Sequence, residues 1–203
     1  LAAVLRDPVT TTDELIPSGE TSSYRSNALK LSEFALSRKD PQYVGRAKAV
    51  LAVEQLRREN PDAPEVVAAL DGHDAKTTGL GSVVMSIRPG DGSAREQAAS
   101  CQRVLGGCAN LCEDFATKRY RSNVINWGMV PFTVTDIAQY NIQPGDKLYI
   151  PGIKAALESG AESIDATLTQ NGVSSTIPLK LERLTAEDRE IILSGCLINY
   201  YAK

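Results

Sequence analysis

The sequence has a single histidine, His73, in 203 residues, so any catalytic mechanism that needs a histidine elsewhere is excluded. This removes Ser–His–Asp and Cys–His sites built around other positions. His73 itself lies in the polar stretch LDGHDAKTTG and is predicted to be a loop residue. The chain also lacks a G-x-x-x-x-G-K-[ST] loop, and Arg95 stands where a G-x-G-x-x-G fingerprint starting at Gly90 needs its third glycine. P-loop and dinucleotide-binding functions are therefore not expected.

Cysteine is scarce as well, with four residues and no C-x-x-C pair. Only Cys108 and Cys112 are close in sequence, and their spacing does not match that of zinc or iron–sulfur ligands. We expect Cys101, Cys108, Cys112 and Cys196 to be buried, reduced thiols that pack as small apolar side chains. The cysteines therefore predict no metal site in this chain and a reducing compartment, the cytoplasm.

Long hydrophobic runs and strong net charge are also missing. No apolar run approaches the roughly 18 to 20 residues that span a bilayer, and Asp7 and Pro8 interrupt the opening residues too early for a signal peptide. The net charge is −3, whereas nucleic-acid-binding domains are usually strongly basic. The composition, 42% hydrophobic and 23% charged, is typical of a globular protein. We expect no membrane insertion and no general nucleic-acid binding.

The first half of the chain is predicted to contain loop, helix and strand in that order. The residues before position 26 are expected to form loop with a short strand. Residues 41–60 have helical spacing with Pro41 near their start, and a polar linker through Pro64 and Gly72 is expected to follow. GSVVMSI is typical of a buried strand, and residues 94–105 are typical of a helix. A strand, a glycine turn and a helix in succession predict a ligand crevice at the strand's carboxyl end.

The second half is predicted to be richer in strands. CANLCEDF is ambiguous between strand and helix, and the glycine pair before it favours strand. ATKRYRSNVINWG predicts a helix, whereas MVPFTV, GDKLYI, SIDATLTQ and SSTIPLKL predict strands. QNGVSS predicts an Asn-Gly hairpin turn, and Thr185 with Asp188 predicts a capped start to the last helix.

The stretch RPGDGSAREQAAS, residues 88–100, is the strongest candidate for a binding site. It joins a predicted strand to a predicted helix, so backbone N–H groups and the helix dipole favour an anion beside Ser93. Arg95 can bind a carboxylate through two parallel hydrogen bonds. A glycine turn with a serine before a helix is also common as ordinary helix capping, so on this motif alone both interpretations stay open.

Three segments taken together resemble the aconitase superfamily, in its small swivelling domain. TTDELIP, residues 11–17, is similar to the family's T-T-D element and the I-x-P that follows it. GDGSAREQAA, residues 90–99, is similar to its G-x-G-S-S-R-E-H-A-A motif. The family's F-A-x-I-H-x-x-N-L…G-x-x-P-L pattern is matched by Phe115, Ala116, Asn123, Gly128, Pro131 and Phe132. The resemblance implies an α/β fold of the mixed three-layer β/β/α swivelling type, as in aconitase C-terminal domains and isopropylmalate dehydratase small subunits.

The resemblance also implies roles for individual residues. Ser93 corresponds to the serine that, as an alkoxide, takes a proton from a substrate carbon. Arg95 and Arg25, which stands twelve residues after Asp13, correspond to arginines that bind substrate carboxylates, and Asp13 corresponds to an active-site aspartate. Loss of hydroxide belongs in the family to a [4Fe–4S] cluster held by cysteines of a larger region, and nothing in this chain resembles that region.

We therefore expect residues 1–203 to be one C-terminal swivelling domain of a longer enzyme, or a separate small subunit. The resemblance implies a hydro-lyase that reversibly dehydrates a hydroxy-polycarboxylate such as citrate or isocitrate. Cluster-binding N-terminal domains or a large subunit are the implied partners. The chain alone is expected to be inactive and to hold no metal or cofactor.

The motifs depart from the family at two positions. Ala94 replaces a second serine that contributes to substrate binding in aconitases, and Gln97 replaces a histidine. Ala94 bears on the substrate more than on the reaction type, and the small subunit of an isopropylmalate or homoaconitate dehydratase is an alternative function. The long insert at residues 41–60 favours an aconitase-type chain over that alternative, and Arg25 favours a polar carboxylate on the substrate.

A non-catalytic function, in RNA binding or in regulation, is a further alternative. TKRYRSN places Lys118, Arg119 and Arg121 around Tyr120, an arrangement that can stack on RNA bases. The same residues are explained by a solvated helix face, or by an electropositive rim that attracts an anionic substrate.

Overall fold

The computed structural model describes residues 1–202. The strands are β1 Ala3–Leu5, β2 Thr10–Thr11, β3 Ser82–Ser86, β4 Pro89–Asp91, β5 Gly107–Cys112, β6 Val130–Thr133, β7 Lys147–Tyr149, β8 Ser163–Gln170 and β9 Val173–Lys180. The helices are α1 Thr12–Leu15, α2 Ala28–Ser32, α3 Tyr43–Glu59, α4 Pro64–Leu70, α5 Arg95–Val104, α6 Lys118–Asn126, α7 Ile153–Glu158, α8 Ala186–Leu193 and α9 Leu197–Tyr201. Strands and helices alternate in the middle part of the chain, from β4 to β8, whereas four helices follow one another before β3.

Seven strands form one mixed sheet in the order β1-β3-β5-β6-β9-β8-β7. The first four run parallel, and the last three are antiparallel to their neighbours. A single register pair, Thr133 with Lys180, connects the two halves. The separate strands β2 and β4 pair in parallel beside this sheet.

The parallel half is covered on both faces, and this accounts for the three successive apolar residues at the centre of β3, Val83 to Met85. All five residues of β3 are buried, as expected for a parallel strand with covered faces. Val84 belongs to the same buried apolar cluster as Ala47 of α3 and Ala98 of α5, whereas Met85 belongs to a second cluster with Leu168 of the β8–β9 hairpin. Helices therefore cover one face and the antiparallel hairpin covers the other. This confirms the predicted three-layer β/β/α architecture.

Most predicted elements are present, including the ambiguous CANLCEDF segment, which contains β5. Asn171 and Gly172 have φ values of 49° and 80°, the left-handed pair that a tight hairpin requires. The Thr185 hydroxyl accepts the Asp188 N–H, and the Asp188 carboxylate accepts the Thr185 N–H, so the predicted cap of α8 is also confirmed.

Two predictions about the first half were wrong. The segment after Pro61 is not a polar linker, because Pro64 begins α4 and Val66 and Leu70 bury their side chains against α3. The residues before position 26 are not only loop and strand, since the short helix α1 lies there. Both helices are short and obtain their stability from packing, which local periodicity does not reveal.

The cysteines and the surface agree in part with expectation. All four cysteines are free, and Cys101 and Cys112 are buried as predicted, whereas Cys108 and Cys196 are partly exposed. Burial raises the pKa of the Cys101 thiol to about 12. His73 lies outside helix and strand, as predicted, with its ring stacked 3.5 Å from that of Tyr149. Within residues 1–202, no helix combines the length and the apolar character needed to cross a bilayer.

Candidate functional site

The T-T-D segment and the glycine turn lie side by side because β2 and β4 pair in parallel. Thr10 is opposite Pro89 and Thr11 is opposite Asp91. Each strand then leads into a helix, β2 into α1 and β4, through Gly92 and Ser93, into α5. Two segments about 80 residues apart in sequence therefore end at the same place. This brings the start of α1, with Asp13, beside the turn that carries Ser93.

Thr12 joins these two segments directly. Its side chain is buried, and its hydroxyl oxygen accepts the N–H of Ala94 at 3.2 Å. Gly92 has a φ of 125°, and a Cβ at this position would clash with Thr12 Oγ1. The sequence analysis assigned no role to Thr12, although it lies inside the T-T-D motif. Its position shows that the second threonine of the motif holds the glycine turn against α1.

Ser93 is exposed at the mouth of α5. Ala94 occupies the N-cap position of this helix and offers no side-chain acceptor, so the first turn of α5 has no side-chain cap. N–H groups at such a helix start favour an anion, as does the helix dipole. The serine hydroxyl therefore lies in a local environment that favours negative charge.

Ala94 itself has little to offer a ligand in this arrangement. Its side chain is 9% exposed and belongs to the apolar cluster between the helices and the sheet. Its N–H is already bonded to Thr12. The structure thus places Ala94 as a packing residue at the start of α5, next to Ser93.

The two predicted arginines carry charge that no carboxylate neutralises. Among the described residues, no Asp or Glu lies within ion-pair distance of Arg25 or Arg95. Arg95 is half-buried, and its Nε atom is buried without an acceptor in the part of the chain that is described. Such a group favours an anionic partner, because a buried unpaired donor is costly. Arg95 is therefore a candidate for binding an anion.

Arg25 lies between a 3₁₀ turn at Ser22–Tyr24 and α2, and α2 packs against α5. It is exposed, and its Nη2 is 3.5 Å from the Ser18 carbonyl oxygen. Within residues 1–202, no hydrogen bond or ion pair joins Arg25 to the other predicted site residues. The fold brings Asp13, Ser93 and Arg95 together through paired elements, and it places Arg25 on an adjoining segment.

Asp13 forms an ion pair with Arg38, a residue that the sequence analysis did not select. Arg38 also binds Glu20, with 2.6 Å between Nη2 and Oε1. Its hydrogen bond to Glu20 and the charge of Asp13 raise the pKa of the Arg38 guanidinium. These groups are about half exposed, so solvent screens the pair and its contribution to stability is small. The pair gives the Asp13 carboxylate a cationic partner on the segment that follows α2.

The residues of this chain do not fit an iron–sulfur cluster. Within residues 1–202, no three His, Cys, Asp or Glu side chains are grouped as metal ligands. Cys112 is buried at the end of β5, beside β6, with its sulfur 3.7 Å from the Phe132 carbonyl oxygen. Burial also raises the pKa of this thiol, which opposes the thiolate that a metal requires.

The TKRYRSN segment does not form an RNA-stacking surface. Tyr120 is fully buried, so no base can reach its ring. Lys118 and Arg119 are exposed on α6, whereas Arg121 is half-buried and donates to the Glu182 carbonyl oxygen at 2.8 Å. Lys118 and Arg119 therefore belong to a solvated helix face, Arg121 contacts the segment after β9, and the aromatic residue Tyr120 belongs to the core.

The chain is similar to known proteins over most of its length. Residues 45–136 match the family model described as the aconitase C-terminal domain. A putative mitochondrial aconitate hydratase of Aspergillus fumigatus is 36% identical over 60% of this chain, and a mitochondrial aconitate hydratase of Schizosaccharomyces pombe is 30% identical over 70%. A mitochondrial homocitrate dehydratase of Saccharomyces cerevisiae is 29% identical over 78%.

These alignments cover only part of each relative. They span 15%, 17% and 22% of the Aspergillus, Schizosaccharomyces and Saccharomyces proteins. A solved structure of 3-isopropylmalate dehydratase from Methanocaldococcus jannaschii is similar in fold, with a TM-score of 0.60 and 21% identity. That similarity covers 98% of this chain and 91% of the other. The chain therefore spans less than a quarter of the length of these three relatives and most of the length of the solved chain.

Proposed function

We propose that this chain supplies the proton-transferring and carboxylate-binding part of a hydro-lyase site. The premise is that the chain belongs to the aconitase superfamily as a C-terminal domain. The observation that carries the proposal is the junction of the two motifs. The Thr12 hydroxyl accepts the Ala94 N–H and so places the Asp13 segment against the turn of Ser93. The proposed site lies on this surface, facing the remainder of the enzyme.

Ser93 is the proposed base. Removing a carbon-bound proton requires a base much stronger than a neutral hydroxyl group, so the serine must act as an alkoxide. An alkoxide is stable only where donors and positive charge surround it. The uncapped start of α5 and the unpaired Arg95 supply both next to Ser93. Exposure of Ser93 allows a substrate to reach it.

Arg95 and Arg25 are the proposed carboxylate-binding residues. Each has a guanidinium group that no carboxylate of the described chain neutralises, and each hydrogen bond to a charged substrate group contributes roughly 1.5 to 3 kcal/mol. Two such contacts would hold the acidic C–H of the substrate against Ser93. Asp13, paired with Arg38, is the proposed active-site aspartate.

The complete enzyme is proposed to contain a [4Fe–4S] cluster bound by a region outside these 203 residues. Within residues 1–202 no group of side chains is placed to hold a metal, which supports a cluster bound by that other region. We therefore expect this chain to be inactive by itself and to act with N-terminal domains or a large subunit.

The proposed substrate is a hydroxy-polycarboxylate such as citrate or isocitrate. The aconitate hydratases among the relatives support this choice, and homocitrate is the next candidate because a homocitrate dehydratase is also similar. A small subunit of an isopropylmalate dehydratase is a second candidate function, because the fold similarity covers 98% of this chain and 91% of that structure.

We propose a reducing compartment for the protein, because its four cysteines are free. The predicted cytoplasmic location and the mitochondrial location in the names of the relatives both meet this condition. Fractionation of the natural host decides between them.

The test uses the natural complete enzyme, purified without oxygen and with its cluster intact. The ultraviolet absorbance of the new double bond is followed with citrate, isocitrate, homocitrate and 3-isopropylmalate. We expect turnover of citrate or isocitrate, and we expect Ser93→Ala to lower kcat by at least about 10³-fold because the base is removed. Turnover of 3-isopropylmalate alone would favour the second candidate.

Ser175→Ala is the matched control, since Ser175 is an exposed serine on β9, away from the glycine turn. It should leave turnover unchanged. Full activity of the Ser93→Ala enzyme would contradict the role of Ser93, and no turnover of any of the four acids by the wild-type enzyme would contradict the proposed function.

A further inference from the structure

A closed ring of three hydrogen bonds lies in the core beneath the proposed site. The Gln102 side-chain amide donates to the Tyr120 hydroxyl at 2.9 Å, and that hydroxyl donates to Asn110 Oδ1 at 2.8 Å. Asn110 Nδ2 completes the ring by donating to Gln102 Oε1 at 2.7 Å. Each of the three residues is at most 3% exposed. The ring therefore links α5, β5 and α6 through groups that water does not reach.

The ring is connected to the glycine turn through Tyr120. A Cβ at Gly90 would clash with the Tyr120 side chain, so the tyrosine lies directly against the Gly90 backbone. Two hydrogen bonds from the start of α6 hold the same turn. The Ala116 N–H donates to the Pro89 carbonyl oxygen at 2.9 Å, and the Thr117 hydroxyl donates to the Gly90 carbonyl oxygen at 2.8 Å.

The turn needs such support because of its own sequence. Gly90 and Gly92 have φ values of 99° and 125°, which side-chain-bearing residues rarely adopt. Glycine reaches these angles freely, but it also has the largest conformational freedom to lose on folding. A turn with two glycines therefore holds one geometry only if its surroundings restrict it. Thr12 restricts the Gly92 end, and Tyr120 restricts the Gly90 end.

We propose that Tyr120 is a positioning residue for Ser93: through its hydrogen-bonded ring with Gln102 and Asn110 it fixes the glycine turn and so the direction of the serine hydroxyl. This inference rests on the proposed function, in which Ser93 removes the substrate proton. A buried polar ring is costly unless every group is paired, so it holds one geometry more strictly than an apolar core of equal volume. Arg25, on a segment before α2, does not depend on the ring.

The experiment compares Tyr120→Phe with the wild type in the cluster-loaded complete enzyme. The change removes one hydroxyl, so Asn110 Oδ1 loses its donor and Gln102 Nε2 keeps only the Ala98 carbonyl oxygen as its acceptor. We expect kcat to fall roughly 10- to 100-fold, because small displacements of a catalytic group cost about this much, while KM changes by less than about threefold. Tyr201→Phe, the same change at a tyrosine that is 72% exposed, should alter neither constant.

A triple variant, Tyr120→Phe with Gln102→Leu and Asn110→Leu, separates positioning from stability. Replacing all partners by apolar groups avoids unpaired buried atoms and should restore most of the lost melting temperature. We expect kcat to stay low in this variant even though stability returns. If Tyr120→Phe does not fold, the kcat of the triple variant alone tests the inference. Recovery of kcat together with stability, or wild-type kcat in Tyr120→Phe, would overturn the inference.

Amide hydrogen exchange of residues 88–95, measured by mass spectrometry on the same preparations, tests the turn without turnover. Faster exchange in Tyr120→Phe and in the triple variant, with no change in Tyr201→Phe, is the expected result. Unchanged exchange would overturn the inference. A wild-type enzyme without turnover whose Tyr120 variant exchanges faster would contradict the proposed function only.

Discussion

Single glycines determine the shape of the proposed site, and two glycines of this chain illustrate opposite effects of a methyl group. At Gly92 the backbone has a φ of 125° and Thr12 Oγ1 occupies the space that a Cβ would need. At Gly45, on the exposed face of α3, the backbone is helical. Apart from the neighbouring residues and the backbone of the same helix, no atom lies within 4 Å of the position that a Cβ would occupy. The same substitution should therefore destabilise the protein at one position and stabilise it at the other.

We expect Gly92→Ala to lower the free energy of unfolding by roughly 1 to 3 kcal/mol, because it combines backbone strain with a clash against Thr12. Gly45→Ala should raise the free energy of unfolding by about 0.5 to 1 kcal/mol, because alanine loses less backbone entropy in a helix. Urea unfolding followed by circular dichroism measures both. Equal stabilities of the two variants would be inconsistent with the described turn.

At the scale of elements, one buried carboxylate holds α3 to the segment that leads into β3. Glu54 accepts hydrogen bonds from Arg57 and Arg58 on its own helix and from the Leu80 N–H, 2.9 Å away. Arg57 also donates to the Ala75 carbonyl oxygen. The side chain of Glu54 is only 9% exposed, so its charge needs these partners. The insert between the two motifs is thereby fixed to the parallel sheet.

The Glu54 carboxylate predicts a pH dependence of stability. Burial by itself raises the pKa of Glu54, but the hydrogen bonds from Arg57, the Leu80 N–H and Arg58 outweigh it and lower the pKa from 4.5 to about 2. A carboxyl whose pKa is lower in the folded state stabilises the fold above its unfolded pKa, and this contribution is lost as the pH falls from about 4.5 to about 2.

Glu54→Gln should therefore remove part of the acid sensitivity in that pH range and also lower stability at pH 7. Thermal unfolding between pH 2.5 and 7 measures the difference. Glu59→Gln is the matched control, because Glu59 is an exposed residue of the same helix and has no ion pair within residues 1–202. Parallel pH profiles of the wild type and Glu54→Gln would disprove the role of Glu54.

At the scale of the whole molecule, the parallel strands connect two apolar clusters. Successive residues of β3 alternate between them, with Val84 in the cluster under the helices and Val83 and Met85 in the cluster under the hairpin. Both clusters are built on the same parallel strands. Loss of either cluster therefore removes packing from strands that the other cluster needs. The two halves of the sheet should therefore unfold together, although a single register pair joins them.

We expect the isolated 203-residue chain to fold and to unfold in one transition, as a single domain does. Trp127 packs at the edge of the helix-side cluster, so its fluorescence reports that layer, whereas far-ultraviolet circular dichroism reports all layers. The two probes should give the same midpoint in urea. Two separate midpoints would mean that the layers are independent units, and the single-domain prediction would be wrong.

The local elements of this chain could be predicted from its sequence because their signals lie within a few residues of each other. The Asn171-Gly172 turn depends on backbone preference, and the Thr185 cap on hydrogen bonds with a residue three positions away. The buried strand β3 depends on three successive apolar residues at its centre. The helix α4 was missed because its apolar residues are meaningful only against α3. The motifs that resemble a family identified Ser93, Arg95, Arg25 and Asp13 as candidate site residues.

The contacts that make a site of these residues depend on the tertiary structure alone. Thr12 and Ala94 are separated by 82 positions, and only the parallel pairing of β2 with β4 brings them within hydrogen-bond distance. The tertiary structure also brings Arg38 beside Asp13 and Tyr120 beneath Gly90. Local sequence determines which conformation each segment prefers. Which side chains meet is decided by how the layers pack, because burial depends on the whole chain rather than on neighbouring residues.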